Sequence, residues 1–527
     1  MSYSESLLGG LSRSHPNRRS VLKGGAAFGV AAMGGLVLPK MARAEPKRGG
    51  HAVFAIGKAS TTDSFDPQVT LATFGTVARV TLHDNLFEVS SDGKLIPCVA
   101  TGAEPNDDAT VWHVPIKQGI TFHDGQTLTP QDVVNSIAIH LGPDSKSPVK
   151  SLMTNLKTFV VDGDAVVFTL AEPDADWPAV FTEPSLSILP SKDGVADWQS
   201  GVGCGPYKLV SFEPGVSAKF EKNPNDHRSD RGWFDSVEMI AVNDSSARVN
   251  AILTGEAQVV AEVDPGIAKR LAGAPNVKLV SRTSPGFYLF DMQTSKAPLG
   301  DNNVRMALKH AINRQEFVDK ILNGFGTVAN DNPIAPSYRF HDDSIEQNIY
   351  DPDKARHYLK QAGLDSLDIE LTVSDGAFEG SVDAAQLYSE SAKAGGINLT
   401  PKRVPADGYW SSNWGVDPFF ANYWTGRPTE AMIISLAYGT GAAWNGTSYA
   451  NDELDKVVTE ARGQRDEAKR GELYGEAQRI LTTDGPSVIP AFYNVVDAVS
   501  DQIGTPEASA AQATLESRYA ASRWWFV

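Results

Sequence analysis

Val166 to Leu170, Val237 to Val242 and Ile369 to Val373 are short β-type runs bounded by Asp, Gly and Ser, and helices with readable caps lie between them. Residues 110 to 124 read as strand, turn, strand. Thr129-Pro130-Gln131-Asp132 supplies an N-cap hydroxyl, a Pro at the first helical position and an acid at N3. Val133, Val134, Ile137 and Leu141 follow at helical spacing. Val304, Ala307, Leu308, Ala311 and Ile312 form an apolar stripe after Asp301. Asp351-Pro352 opens a further helix that Gly363 closes, and Asn451 to Ala461 and Glu467 to Leu481 form a helical pair. Strands interspersed with helices require an α/β fold. The chain of 527 residues exceeds one ordinary core, so two or three domains are expected. No internal repeat is present, which sets solenoids and propellers aside.

The amino terminus addresses the chain out of the cytoplasm. A polar stretch with Arg18 and Arg19 precedes a small, apolar run from Gly24 to Leu38 and then Ala42-Arg43-Ala44, so cleavage is expected after Ala44. The run is too short and too rich in glycine to favour a retained span. Arg18-Arg19-Ser20-Val21-Leu22-Lys23 resembles a twin-arginine signal, with Val21 where Phe is usual; the alternative is an ordinary secretory signal. No cysteine lies near the cleavage site to take a lipid, so a freely diffusing periplasmic protein of a Gram-negative bacterium is expected. Removal of residues 1–44 takes six bases and one acid and makes the formal charge more negative than −17. Such a surface repels phosphate backbones and anionic lipid, so nucleic acid is not an expected partner.

Catalytic signatures are missing. There is no G-x-S-x-G, H-E-x-x-H, G-x-x-x-x-G-K-[ST] or C-x-x-C, and the ten histidines form no ligand-spaced pair. Asp124, Asp162-Gly163-Asp164 and Asp342-Asp343 suit turns better than a metal. No enzyme activity, metal or cofactor is therefore expected. Gly201-Val202-Gly203-Cys204-Gly205 has the wrong spacing for a dinucleotide loop and reads as a tight turn or a close backbone approach. Cys98 and Cys204 either pair or stand as two buried thiols.

Aromatic residues cluster instead. Tyr409, Trp410, Trp414, Phe419, Phe420, Tyr423, Trp424 and Trp444 fall in one stretch rich in Gly, Pro, Asn and Asp, with Arg427 and Asn445 inside it. Rigid rings with a few polar groups suit a small-molecule site, and equally the filling of a hydrophobic core. Tyr409, Trp410, Trp414, Tyr423, Trp424, Arg427, Trp444 and Asn445 are the candidate ligand contacts.

Four blocks then point to a family. They are Phe122-His123-Asp124-Gly125 with Leu128-Thr129 and Asp132-Val133-Val134; Gly203 to Leu209; Val304-Arg305 to Asn313-Arg314; and Tyr350-Asp351-Pro352 with Lys354-Ala355 and Ala362-Gly363. In this order they resemble the extracellular solute-binding proteins of the peptide/nickel importer class, family 5, with Cys204 replacing the usual Thr. The resemblance implies a two-lobed periplasmic-binding-protein fold of type II, of the large class with an extra subdomain. Lobe I would comprise residues 45–82, 195–285 and 490–527, with an inserted subdomain at 83–194; lobe II would span 286–489. It also implies closure on a solute and docking on the permease of an ABC importer; a monomer is expected, after passage through the twin-arginine export machinery that the Arg18-Arg19 signal addresses.

One departure bears on the ligand. Peptide-binding members commonly carry an Asp just after a Trp in the second lobe, for the ligand ammonium. Here Trp424 is followed by Thr425-Gly426-Arg427. A guanidinium there favours a carboxylate or phosphate, or else forms a structural ion pair. A short peptide or peptide-like solute is the leading expectation. An opine, a sugar derivative and a metal chelate are the alternatives within transport; a secreted hydrolase or a peptide-holding chaperone is the alternative outside it.

Overall fold

A computed structural model of the protein describes residues 46–527 apart from Thr70, Asp144, Lys146, Glu379 and residues 508–510. Arg18, Arg19 and the expected cleavage after Ala44 lie outside the described residues. The main sheet has eleven strands. These are β1 His51–Ile56, β2 Tyr207–Glu213, β3 Ser217–Lys222, β4 Ser236–Ala241, β5 Val259–Val260 and β6 Val277–Met292, followed by β7 Gly326–Val328, β8 Leu367–Val373, β9 Ile397–Arg403, β10 Phe419–Trp424 and β11 Ser487–Ser500. Across the sheet the order is β2-β3-β4-β1-β5-β11-β6-β10-β8-β9, with β7 pairing on β11.

The two ends of this sheet are built alike and joined by two long strands. At one end β1 runs parallel to β4 and β5; at the other β8 runs parallel to β9 and β10. Parallel strands need cover on both faces. The first end has it from cores around Phe54, Phe74, Phe220 and Trp524 and around Val249, Ile252 and Leu271. The second has it from cores around Phe290, Leu308, Tyr388 and Phe419 and around Phe287, Trp424, Tyr474 and Ile489. Between the ends, β6 (16 residues) and β11 (14 residues) pair antiparallel over most of their length.

Their ladder shifts register at two places, between Thr283 and Phe287 and between Tyr288 and Phe290, and the first is the wider lapse. The ladder runs from Val277↔Ser500 to Thr283↔Asn494 and resumes at Phe287↔Phe492, so Ser284, Pro285 and Gly286 oppose Tyr493 alone. Pro285 has no N–H to donate, and a bulge of this kind bends the strand. Gly286 is needed there: a Cβ would come 2.3 Å from the Tyr493 ring.

A further unit sits between β1 and β2 in the chain. Glu104–Pro105, Val111–Pro115, Leu156–Asp162 and Ala165–Leu170 form a four-stranded sheet over a core of Trp112, Val114, Phe168 and Phe181. Helix α1 (Pro130–Leu141) packs on it, and Asp132 Oδ2 accepts from the Thr129 N–H at 2.8 Å, as its cap sequence predicts. Helices α2 (Asn302–His310) and α3 (Pro352–Gln361) start at Asp301 and Asp351, whose carboxylates accept first-turn N–H groups. Gly363 follows α3 with φ +74°. Helices α4 (Asp452–Gly463) and α5 (Glu467–Asp484) are the expected late pair.

The strand-turn-strand reading of 110–124 holds only for its first half. After Pro115 the chain makes isolated bridges at Ile116 and Thr121. Ile120 and Phe122 enter the core as single side chains, while the His123 N–H donates to the Gly203 carbonyl at 2.8 Å. The glycine-rich stretch is a close approach: a Cβ on Gly203 or Gly205 would stand 2.1 or 2.7 Å from the Leu82 carbonyl oxygen. Cys98 and Cys204 are both buried free thiols. Leu515 to Arg518 all have positive φ, and this turn is anchored by Asp497 Oδ2, which accepts the Leu515 N–H at 2.8 Å. No helix among the described residues is long and apolar enough to cross a membrane.

Candidate functional site

The bulge in β6 gathers aromatic side chains on one sheet face. Tyr288 and Tyr423 are direct cross-strand partners, so their rings share a side of the sheet. Tyr288 stacks on Phe378 at 4.2 Å between centroids and lies 4.8 Å from Tyr493. Trp410 meets Tyr423 edge to face at 5.7 Å. Burial pushes the Tyr493 phenol well above its usual value; Tyr288, Tyr423 and Glu262 add to the rise and Arg427 opposes it. One phenol is thus within electrostatic reach of an acid that follows β5 and a cation that follows β10. These residues come from opposite ends of the sheet.

The loop after β10 presents the cation. Trp424 is buried opposite Phe287, and its ring lies 5.9 Å from that of Trp444. The Arg427 guanidinium sits 5.4 Å from the Trp424 ring centre. Its Nη1 donates to the Thr425 hydroxyl at 2.7 Å and to the Thr425 and Gly426 carbonyls at 3.2 Å. Among the described residues it has no carboxylate at ion-pair distance. The loop does not depend on this side chain for its shape. Tyr338 holds the Arg427 main chain from both sides, its hydroxyl donating to the carbonyl at 2.9 Å and accepting from the N–H at 3.2 Å.

The expected contacts divide. Trp410, Tyr423 and Trp444 are large aromatics left 43%, 41% and 55% exposed, which is unusual for such rings in a settled core. Trp414 is half-buried against Gly446, where a Cβ would come within 3.0 Å of its ring. Tyr409 faces inward instead: it is fully buried and donates to the Ala421 carbonyl at 2.6 Å. Asn445 is likewise committed within its own loop, donating to the Gly439 and Tyr449 carbonyls at 3.0 and 2.8 Å. A buried phenol and a loop amide each need an internal partner, and that need decides both positions.

Sequence reasoning misses Tyr288, Tyr493, Glu262 and Lys58. Lys58 Nζ lies 2.9 Å from Glu262, which also accepts from the Thr73 hydroxyl at 3.0 Å. Lys58 and Glu262 both have positive φ, a strained backbone for such residues. No spacing connects positions 58, 262, 288 and 493; only the crossing of β6 and β11 does. Elsewhere, Asp84, Cys98 and His227 offer ligand atoms within 4.8 Å of one another. Arg228 lies among them and donates to Cys98 Sγ at 3.1 Å and to Asp84 at 2.9 Å. Burial works to raise the Asp84 carboxyl, but Arg228 and His227 prevail and hold it well below its usual range.

Residues 94–446 match the middle region of the bacterial extracellular solute-binding proteins, family 5. The chain belongs to that family. The glutathione-binding protein GsiB of Salmonella typhimurium is 26% identical over 469 residues, covering 86% of this chain and 90% of that one. The di/tripeptide-binding protein 1 of Pseudomonas aeruginosa is 26% identical over 485 residues, covering 82% and 87%. Among solved structures, the periplasmic binding protein DppA of Helicobacter pylori, in complex with the peptide STSA, superposes with a TM-score of 0.74 at 22% identity, covering 90% and 98%. The family-5 solute-binding protein described here thus has the two-lobed α/β fold that its sequence blocks imply.

Proposed function

We propose that this solute-binding protein captures a short peptide or peptide-like solute with a carboxylate in the periplasm and delivers it to the permease of an ABC importer, without altering it. Arg427 carries the reading. It is a cation with no carboxylate partner among the described residues, lying over Trp424, whose ring neighbours the exposed Trp444. The carboxylate of a peptide or of glutathione would complete it with two parallel hydrogen bonds. Trp410, Tyr423 and Trp444 would cover the rest of the solute, with Tyr288 and Tyr493 below and Glu262 across. The names of the relatives support peptide-like solutes, glutathione among them.

The lobes are proposed as residues 45–82, 195–285 and 490–527, with 83–194 inserted, and 286–489. The lapse in the β6–β11 ladder at 284–286 supports a hinge there. Solute would favour the closed form by bridging both lobes. Export by the twin-arginine route and action as a monomer complete the proposal. Mass spectrometry of the solute that co-purifies, followed by thermal-shift titration with reduced glutathione, dipeptides and an opine, tests it. A rise in melting temperature with the solute recovered intact is expected; recovery of a cleaved product overturns it.

A further inference from the structure

The inserted unit is covalently tied to the chain beside β1 and β2, yet it also touches helices α4 and α5, which belong with the opposite end of the sheet. The Ala175 N–H donates to the Arg462 carbonyl at 2.8 Å. Pro173 lies against Gly463 so closely that a Cβ there would come within 2.9 Å. Three ion pairs flank this contact. Arg470 pairs with Asp176, Arg462 Nε is 3.7 Å from Asp174, and Arg465 Nη1 is 3.9 Å from Asp107 and donates to the Asn106 carbonyl at 3.2 Å.

The charges are segregated. In each of the three pairs the arginine is on the α4–α5 hairpin and the acid is on the insertion, so the two sides attract at this contact. Arg470 is held ready: its guanidinium lies 5.0 Å from the Phe340 ring centre and 5.9 Å from that of Tyr474, and the residue is 4% exposed. The seam is also incompletely filled. A cavity of 180 Å³ lies in it, lined by Asp174, Trp177, Thr429, Met432 and Arg462 among others. The Trp177 indole Nε1, which is buried, has no hydrogen-bond partner among the described residues. A polar contact with a void separates at little loss of apolar burial, unlike a core.

We propose that this seam is a closure latch: the insertion moves with the first lobe, and the Asp–Arg pairs to α4–α5 form as the lobes close. The latch sets the closed fraction without touching the solute, and apparent affinity scales with that fraction. This rests on the lobe assignment and solute-capture reading above.

Spin labels at Val160→Cys on the insertion and Glu453→Cys on α4 report the seam directly, since both native cysteines are buried. Distances are measured without solute, first in about 50 mM and then in about 500 mM salt, which screens exposed pairs. Asp176→Asn, Arg465→Ala (an exposed side chain whose loss leaves the fold intact) and high salt should each shift population to longer distances. Each should also weaken reduced glutathione and a dipeptide by one common factor, about fivefold. Unchanged distances in both variants and in high salt overturn the latch, whether or not any solute binds. Shifted distances with no binding of either probe uphold the latch and remove the capture reading instead.

Discussion

Replacing Arg427 by Ala isolates the anion-binding role from the architecture. The Arg427 loop is fixed through main-chain bonds to Tyr338, which the substitution leaves in place. What is lost within the protein is a half-exposed set of bonds to Thr425 and Gly426 and one contact with Trp424. Stability should therefore change by no more than about 0.5 kcal/mol. A hydrogen bond to a charged group contributes about 1.5–3 kcal/mol, and partial exposure of the guanidinium favours the lower value. At about 1.4 kcal/mol per tenfold, the carboxylate solute should bind about tenfold more weakly. Calorimetric titration with the co-purified solute and with its carboxamide gives the decisive comparison. Wild type should prefer the acid; Arg427→Ala should bind both alike, and Arg427→Lys should fall between because it keeps charge but not the fork. Equal affinity of wild type and Arg427→Ala for the acid, or an equal loss for the carboxamide, refutes the reasoning.

Three further outcomes follow from single observations. Trp444→Ala should weaken solute binding about fivefold with little effect on melting temperature, because the ring is 55% exposed and fills no core; fluorescence titration beside thermal unfolding checks this. Gly203→Ala should lower stability by about 3 kcal/mol or prevent folding, since its Cβ would stand 2.1 Å from the Leu82 carbonyl oxygen, and denaturant unfolding measures it. Asp291 is held by Ser487 and Asn422, yet burial pushes its carboxyl up to about 6. The folded state then binds the extra proton between pH about 4 and about 6, so this group's contribution is full below its unfolded value and is lost as pH rises through 6. Asp291→Asn should gain on wild type by up to about 3 kcal/mol between pH about 4 and about 7 in unfolding curves; a gap that stays constant with pH contradicts this.

Much of the local architecture was legible because its causes are local. The Thr129–Asp132 box, the Asp301 and Asp351 caps and the stripe through Val304 and Leu308 need only neighbours within a few residues. The close approach at Gly203 was legible for the same reason, since consecutive glycines have few other uses. The second strand of 110–124 failed because a strand needs a partner, and the backbone beyond Pro115 bonds to the loop at 126–128 and to Gly203 instead.

The candidate site was legible in one half. Trp410, Tyr423, Trp424, Arg427 and Trp444 lie close in the chain, and their composition alone marks them. Composition does not say which rings face water, and burial of Tyr409 beneath Ala421 was decided by packing. The other half had no signal. Tyr288 and Tyr493 pair, and Glu262 with its partner Lys58 comes within electrostatic reach of Tyr493, because β6 and β11 cross from one end of the sheet to the other and bulge at Gly286. By itself the sequence determined the α/β class, the capped helices, the family blocks and the cation after Trp424, all properties of short segments. Tertiary structure alone decided which charges face one another across the crossover, because contacts between residues hundreds of positions apart exist only once both long strands are paired.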